Sequence, residues 1–137
     1  MNRGRSALPR TRGERGYSSI ELVLYMPLLL GAIVVTVQFA LIYLANEYAS
    51  VAAREANRVA RVTGDPDQGT AKGHQVVDEM GDGLLAGATV RVRPIGDETV
   101  ETVVTGHAPQ IIPFLSVVEV SETVRGPIER FDPDVAP

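Results

Sequence analysis

The sequence predicts an α+β chain in which one long N-terminal helix, over about residues 17–62, is packed by a small three-stranded antiparallel sheet. The lower part of that helix makes it a single-pass membrane protein. Three observations carry this. Leu22 to Ala45 holds no charged residue, and Thr36 and Gln38 are its markedly polar members. Asn46 to Val62 holds no Gly or Pro and is rich in alanine, which favours continued helix. From Ala88 onward the apolar residues switch to a period of two, as in half-buried strands.

The apolar run would form a helix roughly 36 Å long at about 1.5 Å per residue, against a hydrocarbon core of about 30 Å. A helix satisfies its own backbone polar groups in lipid. A buried core helix of this length would need a larger protein to wrap it than the rest of a 137-residue chain provides. Pro27 removes one backbone hydrogen bond and is expected to kink the span, with Gly31 following. Tyr25 and Tyr43 lie near its two ends, where interfacial aromatics concentrate.

Residues 1–16 carry Arg3, Arg5, Arg10, Arg12 and Arg15 against Glu14, whereas the whole chain has a formal charge of −4. A short basic leader before a membrane helix stays in the cytoplasm and sets orientation. Arg54, Arg58 and Arg61 beyond the span partly offset that bias. The basic residues form a leader and not a face, which argues against nucleic-acid binding. The absence of cysteine excludes disulfides and thiolate metal sites. A secretory signal peptide would have an apolar region of about 7–15 residues, shorter than this one. Ser50-Val51-Ala52 offers a small-residue pattern, but the run before it is long enough to stay in the bilayer.

On the continuing helix, Glu47, Ser50, Arg54, Arg58 and Arg61 fall on one face. Tyr48, Ala49, Ala52, Ala56, Val59 and Ala60 fall on the other. This small-residue stripe suits close approach of a second backbone, from a neighbouring subunit or from the chain's own sheet. Thr63-Gly64-Asp65-Pro66 ends the helix, with Gly64 as left-handed cap and Pro66 just beyond.

Asp65-Pro66-Asp67-Gln68-Gly69 reads as a loop. Its Asp-x-Asp-x-Gly spacing resembles the start of a calcium loop, but the twelfth position, where a glutamate is needed, is Val76. Residues 70–86 read as a short helix with Val76, Val77, Met80 and Leu84 on one side, weakened by Gly73, Gly81 and Gly83. Strands are expected over Ala88–Ile95, Thr99–Thr105 and Leu115–Arg125. Gly96-Asp97 is the turn between the first two, and Pro109–Phe114 an apolar connection to the third. Residues 63–125 are thus a small exported domain with a thin core, and 126–137 a flexible end.

No catalytic constellation is present in the sequence. His74 and His107 lack metal-ligand spacing. Gly81-Asp82-Gly83 lacks the Lys-Ser/Thr of a phosphate loop, and no serine has a nucleophile-elbow context. Asp78, Glu79 and Asp82 read as solvated. The chain is therefore not expected to be an enzyme, and no cofactor, metal or small-molecule substrate is expected.

Arg15-Gly16-Tyr17-Ser18-Ser19-Ile20-Glu21-Leu22 resembles the type III signal of type IV pilins and pseudopilins. The resemblance implies cleavage between Gly16 and Tyr17 by a membrane-embedded prepilin peptidase on the cytoplasmic side, leaving the apolar helix in the mature protein. Glu21 would then be the fifth mature residue. A carboxylate at the lipid edge of a helix is costly and functional by default. Paired with the new Tyr17 ammonium of a neighbouring subunit it would fix register, since breaking a desolvated pair costs ~3–5 kcal/mol. The plainer reading is a flanking residue snorkelling to the headgroups.

Glu21, Pro27, Tyr43 and Ala52-Ala53-Arg54-Glu55-Ala56-Asn57-Arg58 together resemble the TadE-like family, pseudopilin-like proteins of the tight-adherence (Tad, or Flp) pilus machinery. Members commonly read Ala-Ala-Arg-Glu-Gly-Ala-Arg at the last motif, so Ala56-Asn57 is a departure. The resemblance implies a pilin-like fold and a minor pseudopilin anchored in a bacterial cytoplasmic membrane. Its N-terminus would be cytoplasmic and its C-terminal domain extracytoplasmic, or within the pilus. Other pilins and the assembly platform would be its partners. The alternative is an uncleaved membrane adaptor that presents the small domain to an envelope partner.

Overall fold

The computed structural model describes residues 15–80 and 83–129, with side chains from Ile20 onward. The basic leader through Glu14, Gly81, Asp82 and the end of the chain from Arg130 lie outside the described residues. Two helices and three strands follow in order: α1 (Arg15–Thr63), α2 (Pro66–Met80), β1 (Ala86–Ile95), β2 (Thr99–His107) and β3 (Glu119–Pro127). The α+β class with a long N-terminal helix and three antiparallel strands is the predicted one. The chain divides into two units, Met1–Val34 and Val35–Pro137, within α1.

In the first unit α1 is helical through Pro27 and Gly31. Residues 20–33 are exposed, and nearly all of them are apolar. Leu24 and Leu28 leave 73% and 71% of their surface uncovered. A helix apolar on every side and buried on none has the surface of a membrane span. Among the described residues, this is the one helix long and apolar enough to cross a bilayer.

In the second unit the upper part of α1 lies against the sheet. The expected small-residue stripe is real, but it is turned toward Ala53 and Asn57. Ala45, Ala49, Ala52, Ala53, Ala56 and Ala60 are each fully buried. All of them but Ala60 pack in one cluster with Val76, Val77, Leu85, Val90, Val104 and Val120. Alanine lets the helix axis approach the strands closely, at the expense of apolar area per residue. The stripe is therefore occupied by the chain's own sheet.

Gly64 takes φ 68°, the predicted left-handed cap. The segment after it was expected to be a loop and is instead the start of α2. Asp65 accepts from the backbone N–H of Asp67 at 2.9 Å and of Gln68 at 3.4 Å, and the Gln68 amide donates back at 2.9 Å. Asp65 is thus the N-cap, with Pro66 as first helical residue, where proline's missing N–H costs nothing. The Gln68 amide, with the Asp67 N–H next in weight, holds the Asp65 carboxyl below its usual range. The residues that resembled a calcium loop thus cap a helix. Ending at Met80, α2 leaves Leu84 and Leu85 to lead into β1.

The sheet is an antiparallel meander in the order β1-β2-β3. Val90, Thr102, Val104, Val120 and Val124 face α1, and the other face is mostly threonine, arginine and glutamate. The third strand starts at Glu119, not Leu115. It also continues to Pro127, where a flexible end was expected from residue 126. Beyond it, Ile128 N–H donates to Glu98 at 2.7 Å and Glu129 N–H to Arg61 at 3.1 Å.

On the outer face of the central strand, Glu101 is 1% exposed. Arg93 and Arg125 stand beside it in register on the two flanking strands. Arg93 donates through Nε at 2.8 Å and also through its terminal nitrogen, and Arg125 through Nε at 2.6 Å. Arg93 first, then Arg125, holds the Glu101 carboxyl below its ordinary value of 4.5. A depressed folded-state pKa gives stability that is fully present above pH 4.5 and is lost as pH falls through the lower folded value. Thermal denaturation of the full chain in detergent, titrated from neutral to acid, should therefore show Tm falling below that point. Glu101→Gln should start lower and lose less over the same window.

Candidate assembly surface

The first turns of α1 carry the predicted processing and register residues. Gly16 and Tyr17 are helical, and Tyr17 precedes Glu21 by one turn of helix. The Glu21 side chain is exposed. Leu22, Val23, Met26, Pro27 and Leu30 line a shallow apolar concavity on one side of this unit. Glu21 thus lies next in sequence to an exposed apolar surface.

The helix motif Ala52-Ala53-Arg54-Glu55-Ala56-Asn57-Arg58 divides between two environments. Ala52, Ala53 and Ala56 enter the core. Arg54 and Arg58 stay outside. Arg58 reaches the Glu55 carboxylate at 2.9 Å and 3.2 Å. With 63% and 38% of the two side chains exposed, this i,i+3 pair contributes about 0–1 kcal/mol. The motif belongs to the second unit and the Gly16–Glu21 segment to the first. They share a helix and do not converge on one site.

Two positions that the sequence reading passed over tie α1 to the rest of its unit. Asn57, 2% exposed, directs its amide nitrogen at Val100 O (3.2 Å), Thr102 Oγ1 (3.2 Å) and Val124 O (3.3 Å). One side chain thus bridges the helix to both β2 and β3. Gln38 donates to Pro109 O at 2.9 Å and accepts from Ile111 N–H at 2.9 Å. Both are polar residues on otherwise apolar helix faces, and that is the signal which identifies them. A buried amide must find partners. Arg61 adds a third tie, donating to Pro127 O at 2.7 Å and to Glu129 Oε1 at 3.2 Å.

Among the described residues, no cluster of three or more His, Asp or Glu side chains is placed to hold a metal ion. The chemistry the chain displays is an apolar helix with one acid near its start, and a domain locked onto the same helix further along.

The family model described as TadE-like protein matches residues 16–58, so the resemblance read from the sequence holds over the N-terminal helix. No curated protein and no solved structure matches the chain.

Proposed function

We propose that this chain, a TadE-like protein over residues 16–58, is a membrane-anchored minor pseudopilin of a Tad-type pilus system. The TadE-like family implies a part in pilus assembly, and the reading here is narrower. The basic leader is removed after Gly16 by prepilin peptidase, the apolar first part of α1 stays in the cytoplasmic membrane, and the sheet domain stands outside it. The chain acts by helix–helix assembly with other pilins and the assembly platform, and not as an enzyme. The observation that carries this reading is that the family match begins at Gly16 itself. It takes in both the exposed apolar helix and Glu21.

Because the alanine stripe is covered by the chain's own sheet, neighbours meet the bare part of α1 instead. Glu21 provides the specific element there. Its pairing with the Tyr17 ammonium of an adjacent subunit satisfies two charges that lipid would otherwise penalise. Mass spectrometry of the membrane-extracted protein from cells with active prepilin peptidase is expected to find a mature chain beginning at Tyr17. An intact leader in those cells would establish the uncleaved adaptor instead. Glu21→Ala is expected to insert normally in the membrane yet lose co-purification with pilus components. Unchanged co-purification would remove the register role.

A further inference from the structure

The connection from β2 to β3 is a second apolar surface. Between Ala108 and Val118 there is no charged residue, and Ile111, Phe114, Leu115 and Val117 are exposed, Phe114 by 96%. Water is a poor environment for such a loop, and part of its polar backbone is closed within the chain. Ala108 N–H donates to Val118 O at 3.0 Å and Leu115 N–H to Ile112 O at 3.2 Å. The Gln110 amide caps the carbonyls of Ile112 and Leu115, and Pro109 and Pro113 have no N–H to satisfy.

Position reinforces this. Gln38 bonds the loop at Pro109 and Ile111 to the stretch of α1 that begins the second unit. On that same stretch Phe39 and Tyr43 are exposed. The loop therefore stands at the end of its unit from which the apolar helix continues. From the fold, we propose that the loop 109–117 is a second membrane contact, seated in the headgroup–acyl boundary of the leaflet on the exported side. It rests on the reading of α1 as a membrane span. A bilayer is favoured over a second copy of the chain because the α1 residues preceding this stretch are apolar all round, as in a helix surrounded by lipid. The loop sets the depth of the sheet domain and the rotation of α1, and entry into a filament requires its release from lipid.

The chain contains no tryptophan, so one substitution installs a single emitter. Phe114→Trp in the full chain is reconstituted in phosphatidylcholine–phosphatidylglycerol vesicles, with and without bromine on the acyl chains near the headgroup. Leu29→Trp reports on the span, and Thr123→Trp on the outer face of the sheet. Phe114→Trp and Leu29→Trp are expected to lose most of their emission in brominated vesicles and to resist acrylamide, while Thr123→Trp behaves in the opposite way. Val117→Trp repeats the loop reading at a second position. If Leu29→Trp is quenched by bromine but both loop variants answer to acrylamide alone, the loop contact is wrong and the anchor stands. Loop variants shielded from both quenchers would mean a protein occupant, which also overturns the proposal. If bromine leaves Leu29→Trp untouched, the span and the loop contact fall together.

Discussion

Asn57→Asp destabilises the second unit more than Asn57→Ala, although aspartate is nearly the same size and shape as asparagine. The Asn57 amide nitrogen faces two backbone carbonyls and a threonine hydroxyl. Alanine removes the donor and leaves these acceptors short of a partner, a loss of ~2 kcal/mol, with a group left unsatisfied costing about 1–3 kcal/mol. Aspartate places an anion against Val100 O and Val124 O, and of the three neighbours only Thr102 can donate to it. A buried unpaired charge puts the cost nearer ~3–5 kcal/mol, a large part of the stability of a small domain. Urea denaturation of the full chain in detergent should show the midpoint falling in the order wild type, Asn57→Ala, Asn57→Asp. The aspartate variant should also recover relative to wild type as pH falls, because its protonated form can donate again. That trend is opposite to the one Glu101 imposes on the parent chain, so one titration separates the two sites. If Asn57→Asp is the milder substitution, the amide is not the bridge between helix and sheet.

Asn57 also marks where the sequence could be read and where it could not. The long helix was legible because its two halves obey strong local rules: lipid-like composition below, alanine-rich amphipathicity above. Gly64 was legible for the same reason, as a left-handed residue is nearly always glycine. The strands were legible from alternation, whereas the pairing of Arg93 and Arg125 with Glu101 across β2 comes from the register of the folded sheet. What failed was composition read without geometry. Asp65-Pro66-Asp67-Gln68-Gly69 has the residues of a loop, but the same residues are an N-cap, a first-turn proline and a returning amide. The Leu115–Val118 stretch has the composition of a strand and is held out of the ladder, with its Val118 carbonyl closing back on Ala108. In the sequence Asn57 is only a departure from the pattern of a helical motif. A pairing between residues more than forty positions apart has no local signature, and a lone amide on an alanine face is the nearest substitute. The register role of Glu21 and the cleavage at Gly16 concern partners, and rest on the family pattern and lipid-edge electrostatics.

Replacing Gly69 and Gly73 together by alanine weakens the unit by ~3 kcal/mol, even though alanine is the better helix former by about 1 kcal/mol at each position. Helix propensity alone predicts the opposite sign, which is how Gly73 reads in the sequence, while Gly69 reads as part of a loop. In the fold they are the contact face of α2. A Cβ on Gly69 would lie 2.7 Å from Ala56 O and 2.7 Å from Ala60 Cβ, and one on Gly73 would lie 2.6 Å from Val90 Cγ1 and 3.0 Å from Ala56 Cβ. At Gly69 the obstruction includes backbone, which cannot rotate away. Relief therefore requires α2 to move off α1 and open the layer that buries Val76 and Val77. Overpacking of this kind costs about 1–3 kcal/mol per site, which outweighs the propensity gain. The urea midpoint in detergent should fall for each single variant and further for the double. Gly31→Ala supplies the contrast, since a Cβ there meets nothing within 4 Å and α1 should tolerate it. Val90→Ala in the Gly73→Ala background tests the cause directly. It removes the nearest obstructing atoms, so it should cost less there than in the parent chain, and a full additive loss would mean that the two residues do not touch.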